Sequence, residues 1–192
     1  MKKGLLLLAS ALLWATTAQA TPITYTAVLG NFESPPTGSP GTGFATVIID
    51  TAANTLEVDV TFSGLLTGTT ASHIHCCTAL PETGTAIVAT TTPTFPGFPL
   101  GVTSGSYSQT FDLTLVGSYN GAFIAAHGGT TAGAEAALAA GLAAREAYLN
   151  IHTTQFPGGE IRGFLEPIPE PATLLLLGTG LVGAGLRRYR RR

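Results

Sequence analysis

The chain has 192 residues, room for one ordinary domain with terminal segments. Only 10% of residues are charged against 45% hydrophobic, with 24 Gly and 12 Pro, which is too apolar for a disordered chain and too interrupted for a helical bundle. The formal net charge is −2, yet residues 21–171 hold all eleven acids against Arg145 and Arg162, giving −9, and such a surface speaks against a nucleic-acid partner.

The first twenty residues read as a unit of their own. Lys2 and Lys3 form a positive start, Leu5 to Trp14 an apolar run, and Ala18 and Ala20 the small residues that signal peptidase reads. Cleavage is expected after Ala20. The apolar run is too short for a membrane span, which takes about 20 residues.

Residues 21–166 are expected to form one all-β domain. Thr24–Gly30 reads as a first strand, 31–41 as a Pro/Gly/Ser loop, and Gly43–Asp50 as a second strand closed by a turn over 51–54. Thr55–Phe62 alternates cleanly, with Leu56, Val58, Val60 and Phe62 on one face and Glu57, Asp59 and Thr61 on the other. A period of two with one wet face predicts an antiparallel hairpin. Further strands are expected over Ala71–Cys77, Thr85–Thr90 and Tyr107–Val116, with a proline-stiffened loop over Pro93–Gly105. Thr131–Arg145 is alanine-rich with Leu138 and Leu142 one turn apart, and reads as one short helix. Strand patterning returns over Glu146–Thr153 and Gly159–Leu165, joined by a turn at Phe156–Gly159. The sum is an antiparallel β-sandwich, immunoglobulin-like or superoxide-dismutase-like.

The C-terminus combines three parts: Pro169-Glu170-Pro171, an uncharged run from Ala172 to Leu186, and Arg187-Arg188-Tyr189-Arg190-Arg191-Arg192. Fifteen residues rise about 22 Å as a helix, a short transmembrane helix that snorkelling arginines and local thinning accommodate. The arginines should stay cytoplasmic, leaving the body outside. In this order, at this end, the parts resemble a PEP-CTERM sorting signal, here residues 167–192. The resemblance implies a Gram-negative cell and processing by an exosortase after a membrane-anchored intermediate, with the body then attached at the cell surface or released.

Polar residues that carry chemistry gather in β-patterned segments. His73-Ile74-His75 places two imidazoles on one strand face, and Asn150 and His152 share a face of the next such segment. With Glu160 and Arg162, they would meet on one surface if the strands are neighbours. Glu160 and Arg162 read best as a cross-strand polar pair, and His127, beside Gly128-Gly129, as a solvated turn residue.

Ala71-Ser72-His73-Ile74-His75, Tyr148-Leu149-Asn150-Ile151-His152-Thr153 and Phe156-Pro157-Gly158-Gly159-Glu160-Ile161-Arg162-Gly163 resemble the CHRD domain signature. Tyr25-Thr26-Ala27-Val28-Leu29 with Glu33-Ser34-Pro35-Pro36 is similar to its opening strand and loop, so the resemblance spans roughly residues 24–165. It implies an all-β sandwich but no reaction or ligand.

The departure from that signature is Cys76-Cys77, which makes the segment His-Ile-His-Cys-Cys. Three fates stay open. His73, His75 and Cys77, with His152, are a metal-ligand set suited to zinc or copper. Oxidation outside the cytoplasm instead favours a disulfide between Cys76 and Cys77, although Cα atoms about 3.8 Å apart across a trans peptide lie below the usual disulfide range. Pairing between molecules is the third. A His-x-His on a sandwich is also similar to copper–zinc superoxide dismutase, an analogy of fold only.

No nucleophile elbow, phosphate loop or helical His-Glu-x-x-His occurs, so no catalytic residue is assigned. The expectation is a non-enzymatic cell-surface or matrix protein of binding or structural type with an unknown surface ligand. The alternative is a metal-binding or redox protein using the His-Ile-His-Cys-Cys segment.

Overall fold

A computed structural model describes residues 21–168. The signal-cleavage residues Ala18 and Ala20, the sorting residues Pro169, Glu170, Pro171, Arg187 and Arg188, and the expected transmembrane helix lie outside that range. Among the described residues no helix is long and apolar enough to cross a membrane.

The alternation noted in the third strand organises the larger sheet. β1 (Ile23–Leu29), β2 (Thr42–Asp50) and β3 (Thr55–Ser63) follow one another antiparallel. Leu56, Val58, Val60 and Phe62 of β3 enter the core beside Ala45, Val47 and Ile49 of β2. The β2–β3 turn closes because Asp50 Oδ1 accepts from the amides of Ala52 and Ala53, while Asn54 takes the left-handed φ of 55°.

β4 (Thr69–His75) departs to a second sheet, and β5 (Gly105–Asp112) returns to the free edge of β3. β6 (Tyr148–Thr153) and β7 (Ile161–Phe164) join β4, and β8 (Glu166–Pro167) adds to β1. The result is two antiparallel sheets, ordered β5-β3-β2-β1-β8 and β4-β6-β7. Ile74, Leu149, Ile151 and Ile161 of the smaller sheet are fully buried in the same core as Tyr25, Leu29 and Leu56. Each such side chain stabilises by roughly 1.5–3 kcal/mol relative to exposure.

The sheets are stitched at one corner. The amides of Gly30 and Arg162 each donate to the other's carbonyl at 3.0 Å. Next to that bridge a Cβ on Gly163 would strike the carbonyl of Val28, so only glycine permits this backbone approach.

Several expected elements shift. The strand expected over Tyr107–Val116 stops at Asp112, whose carboxylate accepts from both the amide and the hydroxyl of Thr114 and turns the chain, leaving Leu115 exposed. Thr85–Thr90 is not a strand. It touches β4 through an isolated bridge, His75 to Val88, because Thr90 Oγ1, not a backbone carbonyl, takes the amide of Ile74. The loop over 93–105 sends Phe95 and Phe98 into the core against Tyr107 and Phe62, so its apolar residues are structural.

A short helix, α1 (Gly121–Ala126), was not signalled by periodicity and is capped by Asn120. The alanine-rich helix forms as α2 (Thr131–Ala143), capped by Thr130 Oγ1. It ends two residues early, where Arg145 adopts a φ of 61°. Leu138 and Leu142 are its buried stripe.

Candidate functional site

The register of the smaller sheet sets one row of polar residues beside another. His73 lies opposite Asn150, which lies opposite Arg162; His75 lies opposite Tyr148, which lies opposite Phe164. His152 faces Ala71, one step along the same face. Because side chains alternate along each strand, Ile74, Leu149 and Ile151 fill the core while the histidines share the opposite face. That face is not wet: His73, His75, His152, Asn150 and Arg162 are all buried.

One ring nitrogen from each of His73, His75 and His152 lies within 4.8 Å of the others. The rings are held from outside. His73 Nε2 lies 2.6 Å from the carbonyl of Pro93, His75 Nδ1 2.9 Å from that of Ala86, and His152 Nδ1 2.8 Å from that of Pro157. A carbonyl oxygen only accepts, so each of these nitrogens carries the proton and donates. Facing inward, His73 Nδ1 sits 3.2 Å from His152 Nε2, and His75 Nε2 is buried with no hydrogen-bond partner among the described residues. Burial pushes the imidazoles of His73 and His75 down to about 4 and also lowers that of His152. All three rings are therefore neutral at pH 7.

Around the histidines is a clamp in which Asn150 and Arg162 lie on the expected surface and to which Tyr148 and Glu33 are additions that sequence reasoning missed. The Tyr148 ring stacks on His75 at 4.8 Å, with the Arg162 guanidinium 4.9 Å from its centroid. The amide of Ala86 donates to the Tyr148 hydroxyl while its carbonyl holds His75. Arg162 donates to the carbonyls of Phe32 and Gly84 and lies 3.7 Å from Glu33. Glu33 Oε1 in turn accepts from Asn150 Nδ2. Burial raises the Glu33 carboxyl above its usual range, with Arg162 pulling it back. Glu33 stood in a stretch noted only for its likeness to a family opening, and nothing in its spacing pointed to Arg162.

Two expected members, Glu160 and Cys77, are placed elsewhere. Glu160 is fully buried, but it accepts from Ser39 Oγ, the amide of Leu66 and Thr153 Oγ1, away from the histidines. It does not pair with Arg162, whose carboxylate neighbour is Glu33. Cys77 is not beside the histidines either: Cys76 and Cys77 form a disulfide, with a cis peptide between them and Cα atoms 3.2 Å apart. Both sulfurs lie against α2, near Gly141 and the carbonyl of Ala137. His127 is half-buried, its ring 4.3 Å from that of Phe123.

On the surface, a cleft of about 430 Å³ runs between β1 and β7, lined by Val28, Phe32, Phe44, Arg162, Phe164 and Glu82. Val28, Phe32 and Phe44 are 65%, 58% and 47% exposed, an apolar rim over a buried guanidinium.

Among known families, the model for the CHRD domain matches residues 25–165, and that for the PEP-CTERM protein-sorting motif matches residues 167–192. No curated protein and no solved structure matches the chain.

Proposed function

The chain belongs to the CHRD-domain family, and from that premise we propose that it is a non-enzymatic cell-surface or extracellular-matrix protein of binding or structural type. The PEP-CTERM motif supports export to the cell surface and processing by an exosortase. One observation carries the reading. The last strand, Glu166–Pro167, pairs with β1, and Pro169-Glu170-Pro171 follows it after Ile168. Removing the tail at Pro169–Pro171 therefore leaves both sheets whole, as a body sorted by its tail requires.

The export signal over residues 1–20, cut by signal peptidase, and a membrane-anchored intermediate of a Gram-negative envelope complete this reading. The rimmed cleft beside Arg162 is the surface on which a ligand would dock, since it joins exposed apolar side chains to a fixed cation. A redox role for the His-Ile-His-Cys-Cys segment as one unit loses support, because its sulfurs and imidazoles face different neighbours.

Fractionation of cells with and without exosortase activity tests the proposal. With activity, the body is expected at the surface or in the medium. Without it, the body stays in the inner membrane. The same distribution in both strains would contradict it.

A further inference from the structure

The inward-facing nitrogens of the three histidines are an unusual arrangement for a buried site. In the neutral ring, the nitrogen that does not donate is a bare lone pair. The outward hydrogen bonds to Pro93, Ala86 and Pro157 use the single proton of each ring. What remains inside is His73 Nδ1, His75 Nε2 and His152 Nε2: three acceptors, no donor, and one of them buried without a partner. Buried acceptors left facing one another cost free energy unless something positive lies between them.

We propose that His73 Nδ1, His75 Nε2 and His152 Nε2 together bind one divalent transition-metal ion of the zinc–copper class.

Geometry supports the assignment. Metal–nitrogen bonds of about 2.0–2.1 Å at tetrahedral angles place ligand nitrogens roughly 3.3 Å apart. The His73–His152 separation is already 3.2 Å. One nitrogen from each of the three rings lies within 4.8 Å of the others, so movements of about 1.5 Å at most bring the group to bonding separation. The donor set is all imidazole, which selects zinc or copper over calcium or magnesium. Each ligand's second nitrogen is hydrogen-bonded to a carbonyl, the outer arrangement that fixes ring orientation and tautomer at metal sites. Three protein ligands leave a fourth position for water or an external ligand.

The nearest cation, Arg162, is directed to the carbonyls of Phe32 and Gly84 and accompanied by Glu33, so its charge is partly offset. Cys77 has no place in this centre, and the ligand set is the histidines alone.

The full chain, purified from membranes in detergent and stripped with a chelator, is titrated separately with Zn²⁺ and Cu²⁺. Uptake of one ion per chain is expected. His75→Gln and His152→Gln should each weaken it on the order of 100-fold or more, beyond the loss of an outer-shell partner. His127→Gln, a histidine outside the group, should leave it unchanged. Circular dichroism checks that the variants are folded. Should either variant fail to fold, the Cu²⁺ electron paramagnetic resonance spectrum of the unaltered chain decides: hyperfine structure from three nitrogens is expected, and a spectrum without nitrogen coupling overturns the proposal. Uptake below about 0.1 ion per chain also overturns it, since a tight site should fill. So does uptake that survives in both folded variants or falls with His127→Gln.

Discussion

His73 Nδ1 faces His152 Nε2 at 3.2 Å across the β4–β6 pair, and in the neutral rings neither nitrogen carries a proton, because the single N–H of each ring donates to a backbone carbonyl on the other side. The contact is a meeting of two acceptors. It ties the stability of the smaller sheet to whatever occupies the space between the rings.

Acid should weaken the metal-free protein in a defined window. The pKa values of His73 and His75 fall from 6.5 to about 4 on folding, so between these values the unfolded chain binds more protons than the folded one. The stabilisation is complete above about pH 6.5 and is lost as the pH falls through about 4. Each shift corresponds to about 3 kcal/mol, less than additive because the rings interact. Glu33 and Glu135, raised by burial, act with opposite sign, so the comparison must isolate the histidines. Urea midpoints measured from pH 7 to pH 4 should fall more steeply for the natural chain than for a His73→Asn, His75→Gln double variant. Parallel curves would contradict the neutral, buried assignment.

Gly141 lies mid-helix in α2, where alanine ordinarily stabilises by about 1 kcal/mol. Here a Cβ would press on the sulfurs of both Cys76 and Cys77, well inside van der Waals contact. Overpacking should win, and Gly141→Ala is expected to cost about 1–3 kcal/mol net, read from the urea midpoint. A stabilised variant would show that α2 does not sit on the disulfide.

Glu160 tests whether the buried carboxylate is structural. Glu160→Ala strands three donors, from Ser39, Leu66 and Thr153, and should cost about 3 kcal/mol or more. Zn²⁺ uptake by the fraction that remains folded should be unchanged, because Glu160 is not among the convergent groups. Loss of uptake in folded Glu160→Ala would place it in the site after all.

Much of the sandwich was legible because its signals are local. The period of two through Leu56, Val58, Val60 and Phe62 fixes which face of β3 is buried, and the alanine-rich run fixes α2. The convergence of His73, His75 and His152 follows from alternation once β4 and β6 are neighbours. What stayed hidden depends on long-range placement. Glu160 would share the face of His152 by simple alternation, yet the turn before β7 swings it to Thr153 and Ser39. Glu33 meets Arg162 across 129 positions of chain, a pairing no spacing encodes. By alternation Cys77 would extend the strand of His73 and His75, but β4 ends at His75 and the disulfide lies against α2.

Intact mass of the protein isolated from its native envelope tests the central claim most directly. The account predicts a chain that lacks residues 1–20 and the tail that follows Pro169-Glu170-Pro171, with a mass about 2 Da lower for the disulfide. Recovery of the unprocessed 192-residue chain at 19.6 kDa from cells with active exosortase would contradict it.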